Sequence, residues 1–92
     1  MELQQVVREI HWIEWQLRTF EDRYGILSQD FYQAIESGLL SEFDDGGEPH
    51  FQDFLEWHGL YKIWLNRERA YREQLRQRSL PEQLRQAVVA AL

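Results

Sequence analysis

The side chains best able to do chemistry in this chain are carboxylates and histidines, and they gather between residues 42 and 58. His50 and Asp53 are three residues apart, so one helical face would let both chelate a metal, with Glu56 or His58 as a further candidate. No convincing third and fourth ligand follows, and the segment DDGGE lacks the alternating ligands of a calcium loop. We therefore predict no metal site and no cofactor.

Catalysis by a nucleophile is equally poorly supported. The chain has no cysteine, and its serines occupy positions typical of helix caps, helix ends or loops. No glycine pattern of a phosphate-binding loop is present. Among the many carboxylates, Glu56, between Leu55 and Trp57, is the one that lies in the apolar run from Phe54 to Leu65. The sequence predicts a protein that is not an enzyme.

The charges are unevenly distributed along the chain. The net charge is −6, yet residues 24–61 carry eight acids and no lysine or arginine, and residues 62–92 carry seven bases and three acids. This pattern indicates either two oppositely charged surfaces or the solvated faces of a helical protein.

Arginines in the basic part raise the question of nucleic-acid binding. Arg69, Arg72 and Arg76 share one helical face and could follow a phosphate backbone. Glu68 and Glu73 interleave with them, so we favour an exposed helix with internal ion pairs and regard a nucleic-acid partner as the weaker alternative.

Two long helices are needed to position these groups. The first, over residues 2–24, has an unbroken heptad seam, and Gly25 is suited to end it. The second, over residues 49–78 with Pro49 in its first turn, has a matching seam that only Glu68 interrupts. The first seam comprises Leu3, Val6, Ile10, Ile13, Leu17, Phe20 and Tyr24; the second comprises Phe54, Trp57, Tyr61, Trp64, Tyr71 and Leu75.

The equal lengths of the two seams predict one all-α domain, residues 1–92, built on a long antiparallel helical hairpin. Tyr24 should lie near Phe54, and Leu3 near Leu75. A short helix, residues 29–37 with Ser28 as N-cap, should pack at the closed end of the hairpin. A C-terminal helix, residues 81–91, should begin at a capping box that opens with Ser79. We expect Gly59, inside the second long helix, to mark a close helix approach or a bend.

Two tryptophans fall outside the seam of the first helix. Trp12 and Trp15 lie at outer heptad positions, where large aromatic side chains need a cover. The C-terminal segment or the short helix of the same chain could cover them. They could equally form a homodimer or partner interface, because tryptophan is enriched among interface anchors.

Composition gives an expectation for the compartment. No apolar run approaches 18 residues, so we expect no membrane span. The N-terminal residues lack the pattern of a signal peptide, and the absence of cysteine is compatible with a reducing environment. We expect a cytoplasmic protein.

The middle of the chain resembles a known group of proteins. The segment RYGILSQDFYQAIESGLLSEFDD, followed by FQDFLEWHGLYKIW, is similar to small cyanobacterial and archaeal proteins with the pattern RYG, then F, G-x-L, acids and DF-x-EW-x-x-LY. These proteins are all-helical, and many look like the antitoxin of a type II toxin–antitoxin pair encoded beside a ribonuclease toxin.

The resemblance implies a non-enzymatic antitoxin that neutralises a small basic toxin through an acidic, aromatic-rich surface, by electrostatic complementarity. A structural homo-oligomer or assembly adaptor without a toxin is the alternative. We expect Trp12 and Trp15 to form a second surface, for self-association or for a partner. The residues expected to contact the toxin are Asp44, Asp45, Glu48, Asp53, Glu56 and Trp57.

Overall fold

The computed structural model describes residues 2–43 and 45–91, and helices make up most of this part of the chain. The elements are α1 (Leu3–Tyr24), α2 (Ser28–Glu36), a 3-10 turn (Ser41–Phe43), α3 (Phe51–Gln77) and α4 (Leu80–Ala91). Within those two ranges there is no β-strand. The predicted all-α class and the order of its four helices are confirmed.

Helices α1 and α3 form the predicted antiparallel hairpin. The Tyr24 and Phe54 ring centroids are 5.2 Å apart at the closed end. Ten residues further along, the Trp64 indole N–H donates a hydrogen bond of 3.0 Å to the Glu14 carboxylate. At the open end, Leu3 and Leu75 line the same pocket, as the register predicts.

Aromatic rings fill the core where α2 joins the hairpin. Trp57 is fully buried, and Phe31 of α2 stacks on it with a centroid distance of 3.8 Å and an interplanar angle of 4°. Phe20 and Tyr24 of α1 also stack on the indole, each at 5.7 Å. Because one tryptophan ring buries on the order of 150–250 Å², this cluster gives a small domain much of its apolar burial.

Ser28 has a different role from the predicted helix cap. It is the first residue of α2, and Leu27 occupies the N-cap position without a side-chain cap. The buried Ser28 hydroxyl accepts a 2.9 Å hydrogen bond from the Trp57 indole N–H, and its backbone N–H donates to the Glu21 carboxylate at 2.8 Å. The capping prediction was wrong because the hydroxyl turns inward to satisfy the indole.

The start of α3 also differs from the prediction. The helix begins at Phe51, so Pro49 lies in the preceding turn. The Glu48 carboxylate accepts a 3.2 Å hydrogen bond from the His50 backbone N–H. A Cβ at Gly59 would meet nothing within 4 Å, so no close helix approach requires this glycine.

Helix α4 lies at the open end of the hairpin. The Ser79 hydroxyl accepts a 3.3 Å hydrogen bond from the Glu82 N–H, as the capping box predicts. Leu84 and Val88 remain exposed, and α4 has no buried residue. Within the described ranges, no helix combines the length and the apolarity needed to cross a membrane.

Candidate protein-binding site

An apolar groove opens at the closed end of the hairpin, between the end of α2, the 3-10 turn and the first turns of α3. Its volume is about 290 Å³. We call it the closed-end groove. It is lined by Ile35, Gly38, Leu40, Ser41, Phe43, Phe51, Phe54, Leu55 and His58.

Short-range backbone contacts shape this groove. Gly38 has a φ of 79°, a conformation that favours glycine, and it turns the chain away from α2. The Phe43 N–H donates to the Leu40 carbonyl at 3.0 Å and closes the 3-10 turn. Phe43 then contacts Phe54 edge to face, with 5.7 Å between ring centroids. On α3, Phe51 and Leu55 are one turn apart and present the opposite wall.

Exposed acidic side chains lie close in sequence to the apolar lining. They are Glu36, Glu42, Asp45 and Glu56. The Glu36 carboxylate also bonds His58 Nε2 at 2.8 Å. Residues 24–61 contain no lysine or arginine, and Arg23 at the closed end is paired with Asp53. The remaining exposed acids near the groove in sequence therefore favour a basic ligand.

The acidic residues predicted to contact a partner differ in exposure and in hydrogen bonding. Asp45 and Glu56 are exposed, as a contact surface requires, but neither lines the groove. Glu48 is half-buried and bonds the backbone of the turn, and an Asp45 carboxylate oxygen accepts from the Gly47 N–H at 3.0 Å. Asp44 lies outside the described residues.

Asp53 ties the two long helices together. Its carboxylate accepts hydrogen bonds from the Tyr24 hydroxyl and the Arg23 guanidinium, both at 2.6 Å, and Tyr24 also meets His50 Nδ1 at 3.1 Å. The hydrogen bond from Tyr24, and then the one from Arg23, hold the pKa of Asp53 below its usual range. Burial, together with the same carboxylate, raises the pKa of Tyr24. Asp53 is therefore engaged within the fold, which leaves little of it for a partner.

Trp57 cannot be a surface contact in the folded chain. It has no exposed surface, and its indole N–H is already bonded to Ser28. The prediction that it binds a partner was wrong, because the indole is enclosed between α1 and Phe31 of α2, which stacks on it.

Sequence reasoning missed the apolar part of the groove. Four lining residues were not proposed as a binding site from the sequence: Leu40, Phe43, Phe51 and Leu55. In the structure, Leu55 is 55 % exposed. Phe51, Leu55 and His58 have the i, i+4, i+7 spacing of a second stripe on α3, beside the heptad seam. This spacing could have predicted the groove from the sequence.

Trp12 and Trp15 form a separate exposed surface on the outer side of α1. Their exposed fractions are 61 % and 69 %. Neither α2 nor α4 covers them, so of the two alternatives the intramolecular cover is wrong.

The predicted arginine surface is largely neutralised by neighbouring acids. The Arg72 guanidinium pairs with Glu68 at 2.8 Å, and that of Arg76 pairs with Glu73 at 2.8 Å. Arg69 is exposed and has no ion pair with a described residue. This arrangement matches the charged, internally paired helix that the sequence favoured over nucleic-acid binding.

The carboxylates and histidines do not converge on a metal site. In the part of the chain that the structure describes, no three of these side chains, such as His50, Asp53 and Glu56, come together in a group able to hold an ion.

Comparison with known proteins gives no relative: no family model, no curated protein and no solved structure matches this chain.

Proposed function

We propose that this chain is a non-enzymatic protein-binding module that takes a basic partner into the closed-end groove. The observation that carries the proposal is an apolar groove of about 290 Å³ with exposed acids close in sequence to its lining residues. Apolar contacts would supply affinity, and the acids would attract and orient a basic protein.

In its more specific form, the proposal follows the resemblance to antitoxins. The partner is then a small basic toxin with ribonuclease activity, and the groove with its acids covers part of the toxin's RNA-binding surface. The protein acts by occupying this surface and performs no reaction itself.

The test is a pull-down from the native host with tagged chain, compared between two charge-reversed variants. Glu42→Lys with Glu56→Lys changes exposed acids that make no hydrogen bond to a described residue, so the fold is retained. The control, Glu2→Lys with Glu82→Lys, makes the same charge change at the open end.

We expect the unchanged chain and the control to recover one small basic protein at fixed stoichiometry, and the closed-end variant to lose it. Expression of that protein alone should arrest growth, and co-expression of this chain should restore it. Equal recovery by the closed-end variant would contradict the proposed site, and a recovered protein without toxicity would contradict the antitoxin form.

A further inference from the structure

The outer face of α1 has a self-complementary order of side chains. Arg8, Trp15 and Asp22 are spaced by seven residues, so they form one row along the helix. All three are exposed. Neither Arg8 nor Asp22 forms an ion pair with any residue in the described ranges. This row has a base at one end, an acid at the other and an aromatic ring between them. It is therefore complementary to an identical row that runs in the opposite direction.

We propose that two copies of this chain associate through the outer faces of α1, antiparallel, with the two-fold axis at Trp15. In this register Trp15 lies against Trp15 of the second copy. Arg8 lies opposite Asp22 of the second copy, and the reverse pair forms by symmetry.

Neighbouring residues follow the same symmetry. On one flank of the row, Trp12 lies near Thr19 of the second copy. On the other flank, His11 lies near Arg18 of the second copy. Each of these side chains is exposed in the single chain. The interface thus joins four tryptophans at its centre, where anchors of this type contribute most.

The charges of the whole molecule favour the antiparallel arrangement over a parallel one. Residues 24–61, which include the closed end, contain eight acids and no lysine or arginine, and residues 62–92 carry seven bases and three acids. The molecule is 53 Å long. An antiparallel pair places the acidic end of each copy beside the basic end of the other, whereas a parallel pair would place like charges together.

The area available points to a reversible dimer. One face of a 22-residue helix offers less than the roughly 800 Å² per partner of a standard interface. We therefore expect association that depends on protein concentration and weakens as salt increases.

The test is sedimentation equilibrium of the full chain across a range of concentrations. The unchanged chain should form a dimer, and Trp15→Ala should weaken it on the order of 30-fold. Arg8→Asp and Asp22→Arg should each weaken it by about tenfold, since each sets like charges opposite each other. Lys62→Asp, an equal reversal on the outer side of α3, should leave it unchanged. Circular dichroism should show the same helix content in every variant, because each altered side chain is exposed.

The decisive sample is an equimolar mixture of Arg8→Asp and Asp22→Arg chains. In the antiparallel register all charge pairs between these two chains become complementary, so the mixture should dimerise about as strongly as the unchanged chain. A monomer at every concentration, a dimer whose Kd is unchanged by Trp15→Ala, or a mixture no tighter than the single variants would overturn the proposal. The Glu42→Lys, Glu56→Lys variant should still dimerise, so this test is independent of the closed-end groove.

Discussion

At the scale of single residues, several carboxylates hold the fold together. Three carboxylates accept hydrogen bonds that link α1 to α3. Asp53 accepts from Arg23 and Tyr24. Glu14 accepts from Trp64, and Glu9 accepts from Arg67. Hydrogen bonds between charged partners are stronger than neutral ones, and they fix the register of two helices whose apolar seams would tolerate some sliding. The acids left for binding are those that the fold does not use.

Asp53→Asn should destabilise the protein at neutral pH. The folded-state pKa of Asp53 is lowered, first by the Tyr24 hydroxyl and then by Arg23. A lowered pKa contributes stability above the unfolded-state value of about 4, and this stability is lost as the pH falls through the folded-state value. Thermal unfolding should therefore give a lower Tm for the variant at pH 7 and a shrinking difference below pH 4.

The control for this prediction is Glu56→Gln. Glu56 is exposed on the same helix and makes no bond to a described residue, so its loss should change Tm little at either pH. A Tm difference for Asp53→Asn that stays constant down to pH 2 would show that the carboxylate is not the source of the effect.

Ser28→Ala should cost about 1–3 kcal/mol in the free energy of unfolding, because it leaves the buried Trp57 indole N–H without its acceptor. Urea denaturation measures the cost. Ser37→Ala, which removes an exposed hydroxyl bonded only to the Ala34 carbonyl, is the matched control. Equal effects of the two substitutions would mean that the buried hydrogen bond contributes no more to the free energy of unfolding than the exposed one.

At the scale of elements, the sequence predicted the hairpin well and the small features around it poorly. The seams of α1 and α3 are long, local and periodic, so their existence and their pairing follow from residue types alone. The burial of Trp57, the inward turn of Ser28 and the closed-end groove depend on where α2 packs. Only nine residues form α2, and a short pattern does not specify which of two helices it contacts.

Gly59→Ala should stabilise the protein by about 0.5–1 kcal/mol, since alanine has the higher helix propensity and its Cβ meets nothing within 4 Å. The increase should appear as a higher urea midpoint with an unchanged m-value. Gly25→Ala is the opposite case, because Gly25 has a φ of 72° and alanine would be strained there. A loss of stability for Gly59→Ala would indicate that α3 is bent or approached at this point.

At the scale of the whole molecule, the chain has two exposed surfaces of different chemistry. The closed-end groove is apolar with acidic surroundings and suits a basic protein. The outer face of α1 is aromatic with a self-complementary order of charges and suits a second copy. The hairpin separates them: the groove is at one end, and Trp15 is near the middle of α1. Both surfaces can therefore be occupied at once.

The most direct test of the proposed function is a nuclear magnetic resonance titration of the ¹⁵N-labelled chain with the basic protein recovered from the host. The account predicts shifts of the backbone amides of Phe43, Phe51 and Leu55, while the indole N–H signals of Trp12 and Trp15 stay in place. Shifts confined to those two indoles, or no basic protein to titrate, would contradict the claim that the closed-end groove is the binding site.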